Sequence, residues 1–277
     1  MNFLELIWVI PLLPAAGAAA NGLVGKRLPK KLISLIGCGL VGLSFVLALG
    51  AVGQLLQLPS HERLYRMNLF TWIPAGMGEV RSGEIAQFLI NWGFQLDPLS
   101  AVMVLVVTGV GFVIHIYSVG YMAHEGGYYR FFCYLNLFMF SMLTLVLANN
   151  FVLMFVGWEG VGLCSYLLIG FYFHKKSASD AGKKAFIVNR VGDFGFMLGI
   201  FLIFSVFGSL DFSEVFSLVK QKAAAQQLLV GDVTITAICL LLFVGATGKS
   251  AQVPLYVWLP DAMEGPTPVS ALIHAAT

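Results

Sequence analysis

Long apolar stretches separated by short polar turns dominate the chain. With Asp, Glu, Lys and Arg taken as breaks, apolar runs cover residues 6–25, 32–58 and 98–122. A fourth run, 131–173, contains a single charge, Glu159. Two more cover 185–210, interrupted by Arg190 and Asp193, and 233–260, interrupted by Lys249 and Pro254. A bilayer core of roughly 30 Å takes about 20 apolar residues as a helix. The fourth run is too long for one span and divides best at Asn149-Asn150, so the pattern predicts seven spans. Pro11 and Pro14 predict a kink in the first. That span lacks the basic start of a cleaved signal peptide and is too long for one. An eighth helix begins at Pro266-Thr267-Pro268, because proline suits a first helical turn. It stops at Thr277 before it could cross. The expected fold class is an all-α polytopic membrane protein, truncated after the start of helix eight.

One connector is long. Residues 64–72 and 87–95 are rich in aromatic and branched side chains around a Gly-rich middle, 76–83. This predicts a β-hairpin on the outer surface. The domain organisation follows: spans one and two over 1–58, an external loop with the hairpin over 59–96, and a membrane domain over 97–277.

Composition agrees with the pattern. Of 277 residues, 58% are hydrophobic and 11% charged, with a net charge of +2; the mean hydropathy is +0.86. A soluble domain carries about 25% charged residues. An ordinary soluble enzyme, a disordered chain and a nucleic-acid binder are thereby excluded. Connectors leaving odd-numbered spans hold Lys26, Arg27, Lys30, Lys31, Arg130, Lys175, Lys176, Lys183 and Lys184. Those leaving even-numbered spans hold fewer: Arg63, Arg66, Arg81, Lys220 and Lys222. The positive-inside rule puts the N-terminus outside. Cys38, Cys133, Cys164 and Cys239 lie in apolar runs without metal-ligand spacing and read as small core residues. No Gly-rich phosphate loop or Ser/His/Asp triad is present, so this chain is expected to hold no redox cofactor, nucleotide or metal.

The informative residues are charges inside the spans, each costing about 2.5–3.5 kcal/mol on insertion scales. Glu159 and Lys249, both beside glycines, read as an ion pair between helices five and seven. The pair either fixes packing or forms a proton site, and charge at membrane depth favours the second. Separating such a pair changes its affinity for a proton. Pro254 removes the N–H that would bond the Ser250 carbonyl, so the helix should break between Lys249 and Pro254. Arg190 and Asp193, three apart on one helix face, read as an intrahelical structural pair. His115 reads as part of a polar packing cluster. His274, one span after Lys249, is a candidate relay partner.

Four segments carry a family resemblance. Trp158-Glu159-Gly160-Val161-Gly162-Leu163-Cys164-Ser165 is similar to the fifth-helix signature of the antiporter-like subunits of proton-pumping NADH–quinone oxidoreductase, respiratory complex I. Asn189-Arg190-Val191-Gly192-Asp193 resembles the sixth helix. The stretches 248–255 and 258–275 resemble the seventh and eighth, and favour the L-type member (mitochondrial subunit 5) over its M- and N-type paralogues. The resemblance implies an antiporter-like helix bundle with a discontinuous seventh helix in the cell inner (plasma) membrane. It implies a row of charges, Glu159, Lys249 and His274, that moves protons, with Arg190, Asp193 and His115 in support. NADH, flavin, iron–sulfur clusters and quinone would belong to other subunits, and the M-type subunit would be the neighbour. A multisubunit Na⁺/H⁺ antiporter subunit and a scaffold without its own proton path are the alternative readings.

Overall fold

The computed structural model describes residues 2–79, 85–225 and 232–275. The helices are α1 (Val9–Leu23), α2 (Lys30–Gln57), α3 (Pro98–Tyr121), α4 (Tyr128–Leu147), α5 (Phe151–Ile169), α6 (Lys176–Phe207), α7 (Phe212–Ala224), α8 (Val233–Lys249) and α9 (Thr267–Ser270). Strands β1 (Tyr65–Glu79) and β2 (Ile85–Leu96) lie between α2 and α3. Among the described residues six helices are long and apolar enough to cross a membrane; they include α1 to α6 with short 3₁₀ extensions of the first and fifth. The seventh apolar helix, α8, is shorter and ends at Lys249.

Local chemistry sets most boundaries. Asp97 and Ser100 form a capping box at α3, with Pro98 in the first turn. Asn150 caps α5 by accepting the Leu153 N–H at 2.8 Å, which is why the apolar run divides there. Asp211 and Asp232 cap α7 and α8 in the same way. Gly208, at φ +69°, ends α6. Pro14 lies inside α1 and cannot bond the Ile10 carbonyl. The Ser44 hydroxyl of α2 donates to that carbonyl instead, at 2.9 Å.

Two expectations need correction. Helix α6 starts at Lys176, well before residue 185, so Lys183 and Lys184 stand on a helix and not in a connector. Its 32 residues rise roughly 48 Å, more than the hydrocarbon core, so one end projects. The connector between the sixth and seventh spans contains α7, an amphipathic helix capped by Asp211. The run 233–260 breaks after Lys249, as expected, which leaves α8 short of the length of the six long apolar helices among the described residues.

The connectors sort onto two faces. On one, β1 and β2 pair antiparallel from Tyr65↔Leu96 to Glu79↔Ile85. The Asn149 amide donates to Asn68 at 2.7 Å and the Asn150 amide to the Asn91 carbonyl at 2.9 Å. Phe151 N–H bonds to Leu210 O, and Phe212 N–H to Asn149 O. Arg66 of β1 grips both oxygens of Asp211 at 2.5 Å. On the opposite face Lys184 pairs with Asp261 at 2.7 Å and Ser177 bonds Glu264 at 3.1 Å. One apolar core joins α1 to α5 and the segment after Trp258. A second joins α5 to α8 with β2.

Candidate functional site

Helices α5, α6 and α8 bring four charges together. Glu159 of α5 pairs with Arg190 of α6. Asp193, one turn on along α6, faces Lys249 at the end of α8, with Nζ to Oδ2 at 3.8 Å. The expected Glu159–Lys249 pair does not form, and neither does the intrahelical Arg190–Asp193 pair. The reason is packing: α6 carries its two charges on the face between α5 and α8, so each finds its opposite on a different neighbour. Small residues make this possible. A Cβ on Gly192 would come within 3.1 Å of Val244 O and 3.3 Å of Gly248 Cα, and one on Gly195 within 2.7 Å of the Val244 side chain. Spacing of this kind lets two helix backbones approach closely in a membrane.

Trp158, quoted above only as part of a motif, belongs to the same cluster. Its indole N–H donates to Asp193 Oδ1 at 2.6 Å. Its ring stacks on Phe196, with centroids 4.8 Å apart, and lies 5.9 Å from Lys249 Nζ. A tryptophan next to a membrane glutamate was the available signal: a buried indole needs an acceptor. Asp193 is buried, and Lys249 is largely so, with no hydrogen-bond partner for Nζ. The ammonium sits over Gly162, where a Cβ would meet it at 2.7 Å.

The backbone after Lys249 is irregular. Ser250 still bonds Ala246, but Ala251 adopts φ +50°, and Gln252 N–H turns back to Thr247 O. The Val253–Pro254 peptide is cis. Short 3₁₀ turns then follow at Leu255–Trp258 and Asp261–Glu264. Trp258 donates to the Gly248 carbonyl at 3.0 Å, satisfying one group that the break frees.

Lys249 also lines a cavity of about 830 Å³. Its polar lining includes Gln95, Asp97, Ser100, Ser165, Asn189 and Ser250. Most of the remaining lining is apolar, including Met103, Phe151 and Phe216. The arrangement can hold a proton on one buried amine beside a carboxylate, on a residue that lines a cavity.

The other named residues stand apart from this cluster. His115 is buried in α3, bonded through Nδ1 to Gly111 O at 2.7 Å, with its ring 6.3 Å from that of Phe132. The His274 backbone lies in a π-turn, Ala271–Ala275, and its side chain is outside the described residues. Pro254 sits at the break, as the sequence implies. Among the described residues no group of three His, Cys, Asp or Glu could hold a metal.

Residues 148–277 match the family described as NADH:quinone oxidoreductase/Mrp antiporter, transmembrane. Residues 84–132 match NADH-ubiquinone oxidoreductase (complex I), chain 5 N-terminus. The NADH-quinone oxidoreductase subunit L of Mycobacterium tuberculosis is 51% identical over 98% of this chain and 40% of its own length. That of Rickettsia bellii is 48% identical, and that of Neisseria meningitidis 47%. The chain belongs to the subunit L family of NADH-quinone oxidoreductases. It spans about 40% of the length of the relatives it matches. Among solved structures, a chain of the Mrp complex from Dietzia sp. superposes with TM-score 0.77 at 27% identity, over 97% of this chain and 26% of the other. A chain of the membrane-bound sulfane sulfur reductase, an archaeal respiratory complex, gives 0.74 at 21% identity, over 97% and 39%, a likeness of fold.

Proposed function

We propose that this chain carries part of the proton path of a membrane-arm subunit of NADH-quinone oxidoreductase. Electron transfer from NADH to quinone takes place in other subunits, whose flavin, iron–sulfur clusters and quinone site lie outside this chain. The protein sits in the bacterial inner membrane with its N-terminus outside, next to other membrane-arm subunits, the M-type subunit among them.

The observation that carries this reading is Lys249: a buried ammonium at a helix break, 3.8 Å from Asp193, on a residue that lines a cavity. Two unit charges about 4 Å apart interact by roughly 4 kcal/mol at an effective dielectric near 20. Moving a proton against 200 mV takes about 4.6 kcal/mol, at 2.3 kcal/mol per 100 mV. Making and breaking one such contact is of the size that gates a pumped proton. Arg190 holds Glu159 throughout as a fixed pair, because guanidinium does not release its proton. Lys249 is the exchanging site, and His274 continues the path.

Lys249→Ala in the assembled complex should lower proton pumping and quinone reduction together by at least tenfold. NADH oxidation by a hydrophilic artificial acceptor serves as the assembly control. Lys249→Arg should fail to restore pumping. Normal pumping by Lys249→Ala would mean that the charges only hold helices together, the scaffold reading. A second reading, part of a multisubunit Na⁺/H⁺ antiporter, draws on the likeness to the Mrp complex over 97% of the chain. Transport that requires sodium, without coupling to quinone reduction, would favour it.

A further inference from the structure

Asp193 and Lys249 are oppositely charged, buried and adjacent, yet they do not touch. Their closest atoms are 3.8 Å apart, beyond hydrogen-bond distance. Lys249 Nζ has three N–H donors and none is used. A buried ammonium normally closes on a carboxylate so near to it. Trp158 holds one end of the carboxylate: its indole N–H donates to Oδ1 at 2.6 Å, while Oδ2 is the oxygen that faces the ammonium.

Trp158 is itself held in place. Its ring stacks on Phe196, which lies one turn beyond Asp193 on α6, at 4.8 Å and 19°. Phe155 stacks on the same Phe196 from α5, at 5.9 Å and 10°. The indole therefore cannot follow the carboxylate without unstacking. The same ring faces the ammonium at 5.9 Å. A neutral donor thus holds one carboxylate oxygen, and an aromatic face gives the cation weak compensation in place of a full contact.

The other groups facing Lys249 do not compete for it. Glu159 is taken by Arg190, the second charge on α6. Ser165 and Ser250 donate back to their own helices, to Val161 O and Ala246 O. Trp258 bonds the Gly248 carbonyl behind the lysine. Among the described residues Asp193 is the carboxylate paired with Lys249, and Trp158 is its hydrogen-bonded restraint.

We infer that Trp158 is a positioning residue: its indole N–H holds Asp193 back from Lys249 and keeps the ammonium free to give up its proton. This rests on the reading of Lys249 as the exchanging site. Without the N–H, Asp193 Oδ1 becomes a buried acceptor with no partner, and the unused ammonium is the nearest donor. The two close, and the lysine holds its proton.

The test is Trp158→Phe, which keeps an aromatic ring for Phe196 and Lys249 and removes the donor together with part of the indole's volume. It is made in the complete complex, normalised for NADH oxidation by a hydrophilic acceptor. Pumping near neutral pH should fall roughly tenfold, the size of one hydrogen bond to a charged group. The loss should be relieved as the medium is made more alkaline, which helps a tightly held proton leave. In an Asp193→Asn background, Trp158→Phe should cause no further loss, because there is no carboxylate to release. An equal loss in that background would show that Trp158 acts through packing alone and overturn the inference. So would an unchanged pumping rate, or a loss relieved by acid, which would mean that Asp193 had moved to Arg190. If Lys249→Ala stops pumping and Trp158→Phe does not, only this inference fails; if Lys249→Ala pumps normally, the reading of the site fails first.

Discussion

Asp211 caps α7 and holds Arg66 of β1 with the same carboxylate. It accepts the Ser213 N–H at 3.0 Å and the Glu214 N–H at 3.4 Å, while Arg66 Nη2 reaches both its oxygens at 2.5 Å. The two side chains are 28% and 23% exposed, so the ion pair alone contributes about 1 kcal/mol. The cap adds about 1 kcal/mol more. Asp211→Ala should therefore loosen the hairpin more than Arg66→Ala does. Limited proteolysis of the intact complex, read as the cleavage rate between β1 and β2, checks this; equal rates would remove the cap from the account. Individual residues were the most legible level of this protein. Glu159, Arg190, Asp193 and Lys249 stand out because charge within an apolar run is costly. Their pairing was not legible. The helical repeat says which face of its own helix a residue occupies, not which neighbour that face meets.

Helices α6 and α8 show what hydropathy misses at the scale of an element. The start of α6 contains Lys176, Asp180, Lys183 and Lys184, which by hydropathy read as connector. The segment is nonetheless helical, with Asp180 and Lys183 3.8 Å apart along it. In α7, Phe212, Val215, Phe216 and Val219 repeat at helical spacing behind the Asp211 cap, a signal that was present in a segment too short and polar to cross a membrane. The contact of α6 with α8 depends on Gly192, where added side-chain atoms meet backbone rather than a movable side chain. Gly192→Val should part the helices, widen the Asp193–Lys249 distance and destabilise the subunit by about 1–3 kcal/mol. Gly39→Val is the control, since a Cβ at Gly39 of α2 meets nothing within 4 Å. Thermal inactivation of pumping should separate the two variants. If Gly39→Val proves as harmful as Gly192→Val, the close approach of α6 and α8 is not the cause.

Across the whole molecule the connectors segregate. The hairpin, Asn149-Asn150 and Asp211 lie on one face, and the Lys-rich turns on the other with Asp261 and Glu264. A cysteine placed at Ser60, exposed beside the hairpin, should react with a membrane-impermeant reagent from outside. One at Ser177 should react only once the membrane is opened, the native cysteines having been replaced. The reverse pattern would invert the topology. That the connectors alternate between two faces was legible from the succession of spans; the positive-inside rule adds which face is expected outside. The length of the strands was not: β1 continues through Pro74, Ala75 and Gly76, where the branched and aromatic residues that announce a strand give out. The tie between the hairpin and the helix ends has a mechanical meaning. Asn68, Asn91 and Arg66 clamp the links between α4 and α5 and between α6 and α7 at one membrane surface. Those contacts fix the helix ends to one another on that side. A tilt of α5 or α6 would pivot at these contacts, with the shortest travel at the hairpin and the longest at the lysine-rich ends.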